Sequence, residues 1–220
     1  MSEIREGEKK SVRNKRSQIT LELSGAAIFS ALSIVIGVFL MPTVTEALRI
    51  PGWFIAIIDL ISLVWMLCYL LFGVRAGLIC SVVGAIGLIP YDPTGWVGPM
   101  MKLVATLSLI SIQIIFLKLY KSGEGSSKLK RPRNYFLYGV LGTLLRMVVM
   151  TIMNIAVILA LFSFLLPTIT LEFIGLPQIS GLTAVIIGAP IINAWQSGLD
   201  LIIPYFIVFG SKLDEKYEIW

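Results

Sequence analysis

Asp59 to Gly77 reads DLISLVWMLCYLLFGVRAG. An acid opens the stretch, a long apolar run follows, and Gly-Val-Arg-Ala-Gly closes it. The run is too long and too apolar for the surface helix of a soluble domain. It predicts a membrane-crossing helix with an ionisable group near one end and a tight, positively marked turn at the other. An acid at that depth is costly unless it has a partner or faces water, so Asp59 is a candidate functional residue.

The rest of the chain agrees with a membrane setting. Of 220 residues, 57% are hydrophobic and 14% charged, and the mean hydropathy is +0.89. A soluble domain is about half apolar and a quarter charged. The net charge of +5 comes from Lys and Arg clustered at the ends of apolar runs. That pattern sets topology and is not a nucleic-acid footprint. There is no histidine, which removes the commonest general base and metal ligand. Cys68 and Cys80 lie in apolar runs without metal spacing and read as free thiols.

A span needs about 20 apolar residues at 1.5 Å of rise each. Six segments qualify: Leu21–Met41 ended by Pro42, Trp53–Phe72, a short Ala76–Ile89, Trp96–Leu117, Tyr135–Leu165, and Leu182–Phe209. The expected fold is an all-α integral membrane bundle of six transmembrane helices. A basic, frayed arm over 1–20 precedes the membrane domain 21–210, a flexible loop over 118–134 interrupts it, and a tail over 211–220 follows. No cleavage site follows the first apolar run, so a removed signal peptide is not expected. With six spans, fifteen of the 18 basic residues fall on one side, in the arm, at Arg75, in the loop and in the tail. The opposite loops hold only Arg49. This asymmetry predicts that both termini are cytoplasmic.

Asp59, Asp200, Lys102 and Arg146 are embedded, and their charges cancel. Mutual pairing and a ligand-facing role are both open to them, and Lys102 or Arg146 is the expected partner of Asp59. Asn154 lies in the fifth span. Asn193, Gln196 and Asp200 share one face of the sixth, which predicts a polar stripe turned into the bundle. Amides both donate and accept, which suits hydroxyls and heterocycle edges. Trp53, Phe54, Tyr91, Trp96 and Trp195 could stack on a flat ligand. For Trp53 and Trp96 an interfacial belt is the favoured account, and it fits less well for Trp195 inside its span. Ala27 and Ala31 form a small-x-x-x-small patch where another helix can approach closely. There is no Walker A loop, metal cluster or nucleophile with a visible base, so an enzyme is not expected.

These residues resemble the substrate-binding membrane subunit (S component) of energy-coupling factor vitamin transporters, most closely the riboflavin-binding branch. Ala27-x-x-x-Ala31 resembles the alanine motif of the family's first helix. Asp59 through Leu71-Phe72-Gly73 resembles its second helix, and Thr94-Gly95-Trp96-Val97-Gly98 the opening of its fourth. Asn154 corresponds to a fifth-helix asparagine, and Pro190 through Gly198 to a sixth-helix motif. Pro99, Lys102, Gln196 and the Gly73-Val74 pair depart from the riboflavin pattern.

The resemblance implies a vitamin, riboflavin or a related flavin, bound under the outer loop Thr43–Gly52. Asp59, Lys102, Asn154, Asn193, Gln196, Trp195 and Trp53 would contact it. Ala27 and Ala31 would dock on a transmembrane coupling subunit driven by two ABC-type ATPase subunits in the cell membrane. No cofactor is implied. An S component for another vitamin or small heterocycle is the nearest alternative. From another class, a self-sufficient ion-coupled transporter would use the embedded charges as a relay.

Overall fold

The structure is a computed structural model that describes residues 2–53, 55–119 and 125–217, with side chains over 17–53, 55–119 and 128–215. Five described helices are long and apolar enough to cross a membrane: Ser17–Leu48, Leu60–Leu88, Val97–Leu119, Pro132–Leu161 and Gly181–Gly210. The molecule is an all-α, multi-pass membrane protein with one small β-hairpin.

Helix α1, Ser2–Val35, passes through a π-helical turn at Ile36–Leu40 into α2, Met41–Leu48. The sequence predicts a stop at Pro42. Instead the helical backbone, described from Ser2, continues past the proline. Pro42 is the second residue of α2, directly after the π-helical turn, whose altered hydrogen-bond spacing accommodates the proline within the continuing helix. The remaining helices are α3 (Leu60–Leu88), α4 (Val97–Leu119), α5 (Gly125–Lys130), α6 (Pro132–Leu161), α7 (Gly181–Tyr205) and α8 (Leu213–Tyr217). A π-helical turn at Phe206–Gly210 extends α7. The loop expected to be flexible over 118–134 contains α5, and its residues 120–124 lie outside the described residues.

Helix α3 is folded back on itself. Gly73 has φ 91° and ψ −179°, a backbone conformation open to glycine. A Cβ added at Gly77 would lie 2.7 Å from Cβ of Tyr69, and one at Gly84 would lie 2.6 Å from Nε1 of Trp65. In a straight helix residues 65 and 84 stand about 28 Å apart. The element is therefore two antiparallel arms, 60–72 and 74–88, each about 20 Å long. The turn between them is the Gly-Val-Arg-Ala-Gly segment, with Arg75 exposed. Helix α1 lies along this hairpin. Its Gly25 meets the Phe72 ring near the turn, and its Gly37 meets Leu88 and Ile61 near the mouth.

Close approach also fixes α6. The missing Cβ of Gly142 leaves room for the backbone carbonyl of Leu109 in α4, and Gly139 faces Leu201 of α7. Phe116 stacks on Tyr138 with ring centroids 4.7 Å apart, and Tyr135 Oη donates to the Leu201 carbonyl at 3.0 Å. The large core formed here includes Trp65, Met66, Tyr69, Leu109 and Tyr135, with the free thiols of Cys68 and Cys80 inside it.

A second, smaller cluster forms at the other end. After α6 the chain makes a 3₁₀ turn, Ser163–Thr168, then the antiparallel strands β1 (Thr170–Leu171) and β2 (Leu176–Ser180). Ile169 and Leu171 pack there with Ile50, Trp53, Val185 and Ile192. Trp53, which suits an interfacial belt by position alone, is 3% exposed and donates from Nε1 to the Thr170 carbonyl at 2.9 Å. Gly52, at φ +73°, passes close to the Thr168 carbonyl. These contacts fasten the segment before α3 to the β-hairpin as one cap over the N-terminal end of α7.

At the opposite end Lys130 bridges the tail. Its Nζ lies 2.7 Å from Glu215 Oε1 and 3.0 Å from Asp214 Oδ2, and Tyr205 Oη donates to the Lys130 carbonyl at 2.8 Å. The hydrogen bonds to Glu215 and then Asp214 hold the Lys130 ammonium above its usual range, and Lys130 holds the Glu215 carboxyl below its own.

Candidate functional site

Between the two apolar clusters lies a layer of polar side chains drawn from α3, α4, α6 and α7. Its centre is Arg146. The buried guanidinium donates from Nη1 to Asp200 Oδ2 at 2.6 Å, from Nε to Asn193 Oδ1 at 3.2 Å and from Nη2 to Gln196 Oε1 at 3.3 Å. Asn193, Gln196 and Asp200 are the stripe read from the sequence, and all three are buried. The stripe forms because residues three and seven positions apart share a helical face.

The acceptor ends of both amides are committed to Arg146, so their donor ends turn elsewhere. Asn193 Nδ2 returns to the Ala189 carbonyl at 2.9 Å, while Gln196 Nε2 reaches the Ala56 carbonyl at 3.0 Å. Ala56 belongs to the irregular segment ahead of α3 and forms a bridge with Arg49. The α7 stripe therefore holds the cap through a single side-chain bond.

Asp59 caps α3 rather than lying within it, as the predicted span Trp53–Phe72 would have it. Its Oδ1 accepts from the Ile61 N–H at 3.1 Å, and its Oδ2 lies 2.8 Å from Lys102 Nζ. A carboxylate in this position satisfies a free N–H and complements the helix dipole. Ile55–Ile58 are left outside the helix. Ser62 links the two ion pairs. Its single hydroxyl proton has two acceptors, Asp200 Oδ1 at 2.8 Å and the Asp59 carbonyl at 3.0 Å. The network thus runs Lys102–Asp59–Ser62–Asp200–Arg146 and on to the amides. Its charges cancel in pairs, which is what a low-dielectric interior demands.

The other predicted residues fall outside the network. Asn154 is buried on α6 but bonds the Met150 carbonyl of its own helix at 2.7 Å. Trp195 is 58% exposed and points away from the bundle. Trp53 belongs to the cap. Tyr91 and Trp96 are exposed, and Phe54 lies outside the described residues. Ala27 and Ala31 are exposed on α1, with Leu23 one turn before them and Val35 one turn after.

Two members were not singled out from sequence as site residues. Arg146 was legible as an embedded charge, but nothing local marks it as the hub. Ser62 carries no signal in an apolar run except its place three residues after Asp59. Among the described residues no group of three or more His, Cys, Asp or Glu could hold a metal ion. Chemically the layer offers guanidinium and ammonium donors, carboxylate and carbonyl acceptors, and no net charge. No protein-family model, curated protein or solved structure matches the chain.

Proposed function

We propose that this chain is the substrate-binding membrane subunit of an energy-coupled vitamin transporter, taking up riboflavin or a related flavin. The observation that carries the reading is the position of the polar layer. It is buried among helices on one side, and on the other it is closed by a cap of irregular chain that Gln196 grips through Ala56. Release of that bond and of the Asp59–Lys102 pair would expose paired donors and acceptors to a neutral, polyhydroxylated, flat ligand entering from the cap side. Trp53 and Phe173, already edge to face at 6.1 Å, would move with the cap.

In this reading the two arms of α3 are the second and third of six spans, and both termini lie in the cytoplasm with the basic clusters. The cap then faces outward across the cell membrane. Ala27 and Ala31 are the flat part of the exposed α1 face on which a transmembrane coupling subunit docks. Two ABC-type ATPases supply the energy that this chain has no motif to provide.

Binding is tested on the purified full chain by flavin fluorescence. Quenching at micromolar protein or tighter supports the proposal. No response to riboflavin or to any related vitamin removes it. Ala27→Trp and Ala31→Trp should block uptake in cells and spare binding, and intact transport in both removes the docking assignment. A self-sufficient ion-coupled transporter is the second reading, favoured by the buried Arg146–Asp200 pair. Ion-driven uptake by this chain alone in liposomes would establish that reading instead.

A further inference from the structure

Helix α4 carries a second polar line that the capped layer does not use. Thr106 and Gln113 are seven residues apart on the innermost face of the helix, with Leu109 and Ile110 between them. Gln113 is 0% exposed, and neither Oε1 nor Nε2 has a hydrogen-bond partner in the protein. Thr106 Oγ1 is likewise buried and unbonded. This sets it apart from other hydroxyls on these helices: Ser108, Thr143, Thr151 and Ser197 all return their proton to the carbonyl one turn back.

An amide left unpaired in a membrane-embedded interior is expensive, and both of its ends need satisfying. A cation would serve only Oε1 and an anion only Nε2. A partner that donates and accepts at once serves both, and further molecules of the same kind can extend the hydrogen bonding toward Thr106 Oγ1, whose residue stands about 10 Å away along the helix axis. Water is the smallest such partner, and buried waters are held by two to four protein polar groups of this kind.

We propose that Gln113, with Thr106, forms an internal water-binding site where α4 packs against α6 and the α3 hairpin. The site's level is set by its neighbours on α4. Leu109, one turn before it, meets Gly142, and Phe116, one turn after it, stacks on Tyr138. It therefore lies below the Arg146 network, on the side of the Lys130 bridge, and gives the inner core one hydrated position. This inference does not depend on the transport reading.

Radiolytic hydroxyl labelling of the full chain in lipid nanodiscs, read by mass spectrometry, tests it. Radicals made from a bound water modify the side chains beside it even when bulk solvent is excluded. Tyr138 is expected to be labelled in the wild type, and its labelling should fall several-fold in Gln113→Leu while that of exposed Tyr91 is unchanged. An unlabelled wild-type Tyr138, or equal labelling in both proteins, overturns the proposal. Thermal unfolding of the milder Gln113→Met variant adds a second decision. If the amide is bound to water, the substitution leaves the midpoint unchanged or lowers it. If the amide is unpaired, removing it raises the midpoint, and that rise overturns the site.

Discussion

The outer cluster around Trp53, Leu171 and Val185 and the inner core around Trp65, Tyr69 and Leu109 are both apolar, yet they are held in different ways. The inner core is built from side chains of packed helices, with close approaches at Gly77, Gly84, Gly139 and Gly142. Opening it means separating whole helices. The outer cluster is closed by short strands and turns, by one indole hydrogen bond and by the Gln196 bond to Ala56. Segments with few backbone bonds and modest buried area open at lower free energy than the helices beneath them. The polar layer sits at the boundary, so the easily opened end and the rigid end meet at the charges.

The largest effect should come from breaking the boundary. Arg146→Met leaves Asp200, which is 2% exposed, without its cation, and a loss of about 3–5 kcal/mol is expected in detergent unfolding experiments. The double variant Arg146→Met/Asp200→Leu should recover most of that loss. If the single variant is as stable as the wild type, the layer is not what joins the two ends.

Next in size is a cut into the inner core. Leu109→Ala is expected to cost about 2–5 kcal/mol by cavity formation. It should lower the global unfolding midpoint and leave exchange of the β2 amides unaltered at low temperature. A selective rise in β2 exchange would mean that the two clusters are not independent.

Trp53→Phe inverts that pattern. It removes the bond to the Thr170 carbonyl, worth about 1 kcal/mol. Faster hydrogen exchange at Leu176–Ser180 is expected with little change in the global midpoint. Equal effects on both readouts would show that the cap does not open separately.

The smallest effect belongs to the Lys130 bridge. The folded Glu215 carboxyl lies below its ordinary value of 4.5, so its contribution is present above that value and lost as pH falls through the lower folded one. The Lys130 ammonium lies above its ordinary 10.5, so its contribution is present below that value and lost as pH rises through the higher one. The bridge is closed across neutral pH. Relative to Lys130→Met under the same conditions, limited proteolysis within α8 should quicken at both extremes.

Much of this was legible from local signals. The apolar runs found the membrane helices, the Gly-Val-Arg-Ala-Gly segment marked the turn inside α3, and helical spacing put Asn193, Gln196 and Asp200 on one inward face. The same spacing places Trp195 off that face, consistent with its exposure. What escaped depends on distant partners. The burial of Trp53 needs Thr170, 117 residues away. The hub role of Arg146 needs α7 to cross at the right height, which Gly139 opposite Leu201 allows. Asp59 reads as an embedded acid because Ile55–Ile58 is as apolar as the helix that follows. Only the path of the chain shows that the helix starts after the carboxylate.

The fold-back at Gly73 also bears on how the chain enters a membrane during synthesis. Each arm of α3, at about 20 Å, falls short of a hydrocarbon core about 30 Å thick, so neither makes a stable span alone. Together they pack closely, with Gly77 and Gly84 of the second arm against Tyr69 and Trp65 of the first. The pair is therefore the unit of insertion. The first arm is not expected to settle stably in the bilayer until the second packs against it.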